Sequence, residues 1–518
     1  MLSKIYTATL QGLEAIPVTV EVESREAINQ SRFVIVGLPD NAVKESQERV
    51  QAALRSNSFG ASMRNHVVNL SPADLRKEGS GFDLPIAIGL MAAMDQIEAA
   101  GLERYMFVGE LGLDGSIQPI KGALPIAIKA RALHHEALFV PEENAREAAV
   151  VDRLKIYGVR HLQDVIEILR GNTLIQPTQV NTREEFFAQQ FTYDVDFSEV
   201  RGQENVKRAF EVAAAGGHNI ALIGSPGCGK SMMAKRLPTI LPPLSLEESL
   251  ETTQIHSIAG KLNRDSTLIS QRPFRSPHHT VSDVALVGGG TTFMPGEICL
   301  AHNGVLFLDE LPEFNRSVLE TLRQPLEDRV ITISRTRYTF TLPCSFMLVA
   351  SMNPCPCGYH GDATHDCVCT PGQIQRYMNK ISGPLLDRID IHCELAAVPF
   401  SDLSKMAPGE PSSAIRERVI KARQIQEARF KDVKGIHCNA QMTERMIHLY
   451  AEPDATSMDM LRMAMERLKL SARAYSRILK VARTIADLDN SDIVQSQHIA
   501  EAIGYRNLDR GDWAERGI

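Results

Sequence analysis

The chain has 518 residues, of which 44% are hydrophobic and 23% are charged, and its net charge is −7. One hydrophobic core does not grow to this length, so we expect about two to four domains. The weakly acidic balance excludes a chain-wide electrostatic attraction to DNA or to anionic membranes, and any nucleic-acid contact therefore requires a local basic surface.

The start of the chain and its apolar runs bear on its location. The first residues, MLSKIYTATLQGLEA, lack the apolar core of a signal peptide, and no apolar run approaches the ~18 residues that span a membrane. We expect a cytoplasmic protein with no membrane partner. Its nine cysteines are then mostly reduced.

Hydrophobic patterning divides the chain into segments. Short β-like runs alternate with helical patterns up to residue 172, as in NAVKESQERVQAALRS, where apolar residues recur three and four positions apart. A polar linker follows at 173–196, and a second α/β block at 197–400 contains the strand candidates NIALIG, GVLFLDE, RVITIS and SFMLVASMN. The pattern then predicts helices over 401–508 and a tail at 509–518. The expected fold class is a multidomain α/β protein.

The segment GSPGCGKS predicts a phosphate-binding loop, because an apolar run precedes it and a helical pattern follows it. Glycines allow backbone N–H groups to turn toward phosphates, Lys230 neutralises phosphate charge, and the Ser231 hydroxyl can ligate Mg²⁺. We therefore expect ATP and Mg²⁺ as ligands. The loop consists of Gly224, Ser225, Pro226, Gly227, Cys228, Gly229, Lys230 and Ser231.

Further polar residues suit ATP hydrolysis. GVLFLDE delivers Asp309 to the Mg²⁺ shell and Glu310 to the attacking water as a general base. FMLVASMN ends in Asn353, whose amide can position that water, and Arg388 and Arg473 are candidates for contacts with the γ-phosphate. Taken singly, the last three also fit a strand-end amide and ordinary surface arginines.

In their order and spacing these motifs resemble the AAA+ superfamily, in particular the branch of magnesium-chelatase ATPase subunits and MCM-type helicases. The resemblance implies that Asn353 is sensor 1, Arg388 the arginine finger and Arg473 sensor 2. It also implies that Gln203, in VRGQENVKRAF, contacts the nucleotide near the adenine. Since such a finger acts on a neighbouring subunit, we expect a homo-oligomeric ring, a hexamer, formed with nucleotide or DNA.

Residues 1–172 resemble the Lon protease domain, through KEGSGFDLPIAIGL and GELGLDGSIQPIKGALPIAIKARA. A Ser–Lys protease needs a serine nucleophile and a lysine base. When the Lon pattern is laid on this sequence, the nucleophile position falls on Gly81 and the lysine position on Leu124, while Ser80 and Lys121 lie nearby but out of register. We therefore expect an inactive, Lon-protease-like α+β domain.

The whole chain resembles the YifB/ComM family of magnesium-chelatase-like proteins: a Lon-like domain, an AAA+ core and a helical C-terminal lid. The family implies an ATP-driven motor that acts on single-stranded or branched DNA during recombination or natural transformation. Two alternatives remain open: a chelatase-like ATPase that remodels a protein partner and, less favoured, an ATP-dependent peptidase.

Two segments are candidates for DNA contact. The hairpin EDRVITISRTRYTFTLP carries Arg335 and Arg337 beside Tyr338, which suits phosphate contact and base stacking. The alternative is a solvated hairpin tip. The second candidate is the segment that contains Arg272, Arg275, His278 and His279.

Four cysteines, Cys355, Cys357, Cys367 and Cys369, lie within one short segment after Asn353. Four thiolates can close a tetrahedral Zn²⁺ site that folds a loop too small for a core of its own, although the C-x-C spacing is tighter than usual. Buried reduced thiols and a labile disulfide are the alternatives. A catalytic metal is not expected, because four protein ligands leave no open position.

Overall fold

The chain folds into two compact units. The computed structural model describes residues 2–27, 30–59, 64–172, 174–263, 267–290, 293–335, 338–362, 365–396, 407–468 and 470–506. The first unit comprises Met1–Gln189, Ser245–Ser270 and Gly290–Pro295, and the second comprises Gln190–Leu244, Gln271–Gly289 and Gly296–Ile518. Two stretches that interrupt the second unit in sequence therefore belong to the first.

The first unit is built on a seven-stranded mixed sheet with the order β3-β4-β2-β1-β5-β8-β9. Strand β1 pairs antiparallel with β2 and parallel with β5, so the sheet changes direction at its centre. A small hairpin, β6–β7, and the two-residue strand β13 complete the strands of this unit. The strands are β1 (Leu2–Gln11), β2 (Glu14–Glu26), β3 (Phe33–Val36), β4 (Arg64–Ser71), β5 (Tyr105–Phe107), β6 (Glu110–Leu111), β7 (Ile117–Gln118), β8 (Ala137–Pro141), β9 (Lys155–Val159) and β13 (Met294–Pro295).

Helices cover this sheet, and α2 is buried along its whole length. It lies so close to β2 that a Cβ on Gly89 would sit 2.7 Å from Val22. Asp83 at its start is fully buried, and Arg49 pairs with its carboxylate at 2.6 Å. The helices are α1 (Asn41–Ser56), α2 (Asp83–Ala93), α3 (Ala123–Ala132), α4 (Glu142–Ala148), α5 (Leu162–Leu169), α6 (Thr182–Gln189) and α9 (Leu246–Ala259).

The second unit contains a five-stranded parallel sheet with the order β11-β14-β17-β10-β18. Strands β10, β14 and β17 are buried at every residue, which explains their continuous apolar sequences. The strands are β10 (Ile220–Gly224), β11 (Phe274–Arg275), β14 (Val305–Leu308), β17 (Met347–Met352) and β18 (Ile391–Leu395), with β12 (Gly288–Gly289) and the hairpin β15 (Val330–Arg335) and β16 (Tyr338–Pro343) outside the sheet.

Helices of the second unit surround this sheet and continue into an all-helical C-terminal region. Helix α7 packs against both α16 and α19, so the sheet and the C-terminal helices share one hydrophobic core. The helices are α7 (Glu204–Gly216), α8 (Lys230–Arg236), α10 (Asp283–Val287), α11 (Glu297–Leu300), α12 (Arg316–Thr321), α13 (Arg323–Asp328), α14 (Pro371–Met378), α15 (Gly383–Leu386), α16 (Ser412–Phe430), α17 (Glu444–Tyr450), α18 (Ala455–Leu468), α19 (Ala472–Leu488) and α20 (Ser496–Gly504).

The predicted class is confirmed at this level: the protein is a mixed α/β multidomain chain with a parallel sheet and a helical C-terminal region. RVITIS forms a strand that pairs in the β15–β16 hairpin expected for this segment, outside the parallel sheet. No helix in the described ranges is long and apolar enough to cross a membrane.

Candidate active site

The loop between β10 and α8 has the backbone of a phosphate cradle. Gly227 and Gly229 have φ angles of 81° and 98°, in the region that favours glycine. A Cβ on Gly227 would meet open space, so steric room alone does not require this glycine, whereas its backbone angle does. Helix α8 begins at Lys230, directly after the loop. N–H groups turned inward by such angles bind phosphate oxygens.

Lys230 is held across the mouth of this loop. Its Nζ donates to the carbonyl oxygens of Gly224 at 2.6 Å and Ser225 at 3.1 Å, and to Oδ1 of Asn353 at 3.1 Å. Burial lowers the pKa of Lys230, and the nearby Asp309 and Glu310 oppose that shift. The structure thus brings together the ends of β10 and β17 at the carboxyl edge of the parallel sheet, where ligands of such sheets bind.

Asp309 and Ser231 form a pair of oxygen ligands suited to Mg²⁺. The Ser231 hydroxyl donates to the Asp309 carboxylate at 2.8 Å, and Ser351 donates to the other carboxylate oxygen. Asp309 directly follows β14, and Ser351 lies in the neighbouring strand β17. Hard oxygen donors fixed in this way fit Mg²⁺, which is bound through one or two protein oxygens together with substrate phosphates.

Glu310 is the most exposed of these groups, with 56% of its side chain accessible. Its φ of 56° and ψ of 50° put it in the left-handed region, so the chain turns sharply after the strand. Nδ1 of His279 lies 3.5 Å from the Glu310 carboxylate. The His279 ring contacts the His278 ring, with centroids 4.1 Å apart and planes tilted by 33°. The sequence singled out His279 only as a DNA candidate, and its contact with the expected general base depends on tertiary structure.

A cavity of about 440 Å³ opens beside Glu310 and Asn353. Its remaining walls come largely from α14 and its flanks, and they include two basic side chains and one aromatic ring. Lys380 pairs with Glu313 at 3.1 Å and lies over the Tyr377 ring. Sequence reasoning did not identify these wall residues, since no motif marks them. They are Glu313, Pro356, Gln373, Arg376, Tyr377 and Lys380.

Gln203 lies at the start of α7 with a left-handed φ of 59°. Its side-chain amide donates to the carbonyl oxygen of Ala396 at 2.6 Å, just beyond β18. This bond ties the segment ahead of the phosphate-binding loop to the edge strand of the sheet. The residue is close to β18, next to the strand that leads into the loop.

The two candidate arginines have carboxylate partners outside the phosphate-binding loop, and the partner of Arg473 is the residue before Arg388. Arg388 pairs with Glu327 and donates to the Pro384 carbonyl oxygen at 2.5 Å, while Arg473 pairs with Asp387 at 3.2 Å. Within the described ranges, neither has a hydrogen bond or ion pair with residues 224–231. Arg473 is 66% exposed. The Arg388 side chain is only 12% exposed, so of the two guanidinium groups only that of Arg473 lies largely in solvent.

The DNA candidates differ in their surroundings. Arg275 forms a two-bond ion pair with Glu297, at 2.6 and 2.8 Å, and Arg272 donates to the carbonyl oxygens of Pro242, Pro243 and Asn303.

In the hairpin, Arg335 ends β15 and is paired in register with Tyr338 at the start of β16. Arg337 lies outside the described residues.

The four cysteines converge. Their sulfur atoms all lie within 4.8 Å of one another, and the Sγ atoms of Cys355, Cys357 and Cys367 are separated by 3.3 to 3.7 Å. The N–H of Cys357 donates to the Cys369 sulfur at 3.4 Å. A tetrahedron with Zn–S bonds of about 2.3 Å places its sulfurs about 3.8 Å apart, so the donor set fits zinc. None of these cysteines is in a disulfide.

A second cavity, of about 340 Å³, lies within the first unit. Ser80, Glu110 and Lys121 line it, together with apolar residues of β1 and β13. The Ser80 hydroxyl donates to the Glu110 carboxylate, and the Lys121 ammonium lies 3.8 Å from the Met294 sulfur. Gly81 and Leu124, which occupy the aligned Lon positions, offer no nucleophile or base.

Three segments match families of magnesium-chelatase proteins. Residues 196–403 match the family described as "Magnesium chelatase, subunit ChlI". Residues 20–144 match "Subunit ChlI of Mg-chelatase", and residues 409–506 match "Magnesium chelatase, subunit ChlI C-terminal".

Two proteins are similar over nearly the whole chain, and a third over part of it. Competence protein ComM of Haemophilus influenzae is 43% identical over 511 residues, and the alignment covers 98% of each chain. Protein YifB of Escherichia coli is 43% identical over 515 residues, again with 98% of each chain covered. The magnesium-chelatase 38 kDa subunit of Rhodobacter capsulatus is 27% identical over 177 residues, which cover 30% of this chain and 50% of that subunit. These similarities support an AAA+-type ATPase.

Proposed function

We propose that this chain is a ring-forming ATPase that couples ATP hydrolysis to movement along DNA. The chain belongs to the magnesium-chelatase-like family that includes ComM and YifB. The observation that carries the ATPase assignment is the meeting of Lys230, Ser231, Asp309 and Asn353 at the carboxyl ends of β10, β14 and β17.

The reaction follows from what each group can do. The N–H groups of the loop and Lys230 bind the β- and γ-phosphates of ATP. Ser231 and Asp309 would hold Mg²⁺, and the ion would neutralise phosphate charge. Glu310 accepts a proton from water as the water oxygen bonds to the γ-phosphorus and the bond to the ADP oxygen breaks. Asn353 orients that water.

The remaining charge in the transition state requires a cation from outside the chain's own loop. Arg388 pairs with Glu327 and Arg473 with Asp387, rather than with loop residues. We propose that the surface around Arg388 docks on the nucleotide of a neighbouring copy, with Arg388 as the finger, and that Arg473 is sensor 2. Such a heterologous contact closes into a ring, which we propose to be a hexamer.

The DNA assignment rests on the similarity to a competence protein over 98% of the chain. The β15–β16 hairpin is the proposed contact, through Arg335 and Arg337. Arg275 would have to give up its ion pair with Glu297 to reach a phosphate, which makes it a secondary candidate. The substrate we propose is single-stranded or branched DNA, as in recombination or natural transformation.

ATP turnover should rise when single-stranded or forked DNA is added. Replacing both Arg335 and Arg337 by Ala should weaken DNA binding and reduce the slope of log affinity against log salt by about 1.4 to 1.8, because two phosphate contacts are lost. Phosphate release and fluorescence anisotropy measure the two effects.

The control is Arg462→Ala, which removes an arginine that is 69% exposed on α18. It should leave the salt slope unchanged. If no form of DNA binds or stimulates turnover, the DNA assignment is wrong.

A chelatase-like ATPase that remodels a protein partner is the second candidate. The similarity to the Rhodobacter capsulatus subunit favours it, although that similarity covers only 30% of the chain. This candidate predicts turnover that responds to a partner protein and not to DNA. Peptidase activity is a third and weaker candidate, because the Ser80 hydroxyl donates a hydrogen bond to the Glu110 carboxylate and Ser80 lies one residue before the aligned position. We propose that the N-terminal domain is an inactive Lon-like platform.

We also propose that the four cysteines hold a structural Zn²⁺. The support is the separation of their sulfurs, which is close to that of a zinc tetrathiolate. Burial would raise the pKa of Cys357, but N–H donors from Tyr359 and Val368 and the neighbouring thiols hold it below its usual range, whereas burial raises the pKa of Cys367 and of Cys369. A thiolate is the form that binds zinc.

A further inference from the structure

The proposed zinc loop begins at a catalytic residue. Asn353 directly follows β17 and accepts a hydrogen bond from Lys230 at 3.1 Å. Cys355, which is fully buried, comes two residues later. Because two peptide units separate the amide from the first sulfur, any shift of Cys355 is transmitted to Asn353.

The same loop closes onto the phosphate-binding loop. Gly358 has a φ of 90°, and a Cβ built on it would lie 2.7 Å from Cδ of Pro226 and 4.0 Å from Cγ of Asn353. Backbone therefore packs directly on the ring of Pro226, with no space for a side chain. This contact fixes the loop of the first two cysteines against residues that hold phosphate.

The far end of the loop leads into the wall of the catalytic cavity. Thr370, next to Cys369, caps α14 together with Gln373, whose side chain accepts from the Thr370 N–H at 2.8 Å. Helix α14 contributes Arg376 and Tyr377 to the cavity that Glu310 lines. Pro356, between the first two cysteines, lines that cavity as well.

The two C-x-C pairs therefore join the two ends of one loop, and both ends touch the hydrolytic site. A loop of this size has little apolar core, so a bound metal supplies much of its folding energy. Apart from the cysteines, one stacking contact is the Tyr359–His365 pair, with ring centroids 4.7 Å apart.

We infer that the Cys355–Cys357–Cys367–Cys369 metal site is a positioning element for ATP hydrolysis: a bound metal holds Asn353 and the Gly358–Pro226 contact, and its loss stops turnover while ATP still binds. The inference rests on the proposed ATPase activity and zinc site. It adds that the loop regulates the nucleotide site through metal occupancy.

Two variants test the inference: one removes metal ligands, and the other disturbs the Gly358–Pro226 contact while all four cysteines remain. Cys367→Ser with Cys369→Ser removes two ligands, and we expect loss of bound zinc and a fall in kcat of roughly 100-fold, as for misplaced catalytic groups. Gly358→Ala keeps all four thiols, but the new Cβ would clash with Pro226, and the φ of 90° disfavours a side chain at this position. It should keep zinc and yet lose kcat to a similar extent.

Controls separate position from folding. Val368→Ala changes a residue of the same loop that is 82% exposed, and it should keep both zinc and kcat. Cys369→His keeps a ligand and should recover part of both. Zinc is measured by release to a colorimetric chelator, and ATP affinity by a fluorescent ATP analogue, which should bind the serine variant within a few-fold of wild type.

The outcomes distinguish the inference from its premises. If wild-type protein holds zinc and hydrolyses ATP, but the serine variant hydrolyses at the wild-type rate without zinc, the inference is wrong and the proposed function stands. If wild-type protein carries zinc and hydrolyses no ATP under any condition, the proposed function fails first. If wild-type protein carries no zinc after purification with zinc present, the zinc assignment and the inference both fail.

Discussion

Glu310 is the proposed general base of the site. It follows Asp309 with a left-handed backbone, and its carboxylate is exposed to the cavity that Asn353 also lines. An exposed carboxylate beside a phosphate cradle is accessible to water and can accept its proton. His279, 3.5 Å away, is the one group that the described contacts pair with this carboxylate.

Glu310→Gln should bind ATP normally and lower kcat by roughly 10²- to 10⁴-fold, because the amide cannot accept the proton from water. Glu313→Gln is the matched control, since Glu313 lines the same cavity but pairs with Lys380. Steady-state phosphate release and nucleotide binding measure the two quantities. Equal losses in both variants would show that cavity charge, rather than a general base, sets the rate.

At the scale of elements, a buried polar network joins the parallel sheet to the C-terminal helices. His218, just before β10, lies 3.1 Å from Asp390 and 2.8 Å from the Thr484 hydroxyl, and Arg477 pairs with Asp390 at 2.7 Å. His218 and Asp390 are almost fully buried. Since Asp390 lies two residues after Arg388, this network also anchors the segment that carries the proposed finger.

The network makes stability depend on pH. Burial lowers the pKa of His218 despite the opposing effect of Asp390, so the unfolded chain binds a proton that the folded chain does not. The contribution of His218 to the free energy of unfolding is complete above about pH 6.5. It is lost as the pH falls below that value, by up to about 1.4 kcal/mol per pH unit. His392, also buried with a lowered pKa, acts in the same direction.

We therefore expect the free energy of unfolding to fall between pH 7 and pH 5, and His218→Gln to make that fall shallower. Urea denaturation at several pH values, followed by circular dichroism, measures the slopes. A slope that is the same in wild type and variant would show that His218 does not titrate between the folded and unfolded states.

The strands and helices that could be predicted are those with a local signal in the sequence, such as a continuous apolar run or a helix cap. NIALIG and FMLVASMN are continuous apolar runs because β10 and β17 are buried on both faces. Helix α1 covers NAVKESQERVQAALRS, with Asp40 accepting from the Val43 N–H at its start.

Strand β11 is only two residues long and has no such pattern. No local pattern indicates that residues 245–270 belong to the first unit. There α9 packs on α3, and the N–H of Gly122 donates to the Ser257 carbonyl oxygen at 3.1 Å. Those contacts join residues far apart in sequence, so no local signal marks them.

The candidate site follows the same rule. Lys230 is predicted from the glycine-rich loop GSPGCGKS, and Asp309 and Asn353 from the ends of the apolar runs that form β14 and β17. The partners of the arginines, Glu327 and Asp387, and the cavity walls on α14 carry no motif. Their roles depend on how separate elements meet.

At the scale of the whole molecule, the central claim is that two copies share each nucleotide. We propose that one copy supplies Lys230, Asp309 and Glu310, and that its neighbour supplies Arg388. A fall in specific activity on dilution accompanies such a ring, since the site is incomplete in a single chain.

Mixing two inactive variants tests this claim most directly. Lys230→Ala cannot hold phosphate and Arg388→Ala lacks the finger, so each alone should be inactive in ATP turnover. In random mixed rings, about a quarter of the interfaces join an intact loop to an intact finger, and turnover should return in proportion. Glu327→Gln, which frees Arg388 from its ion pair without removing it, should stay active and controls for local disruption. Mixed rings, assembled as judged by size, that hydrolyse no ATP would contradict the shared site.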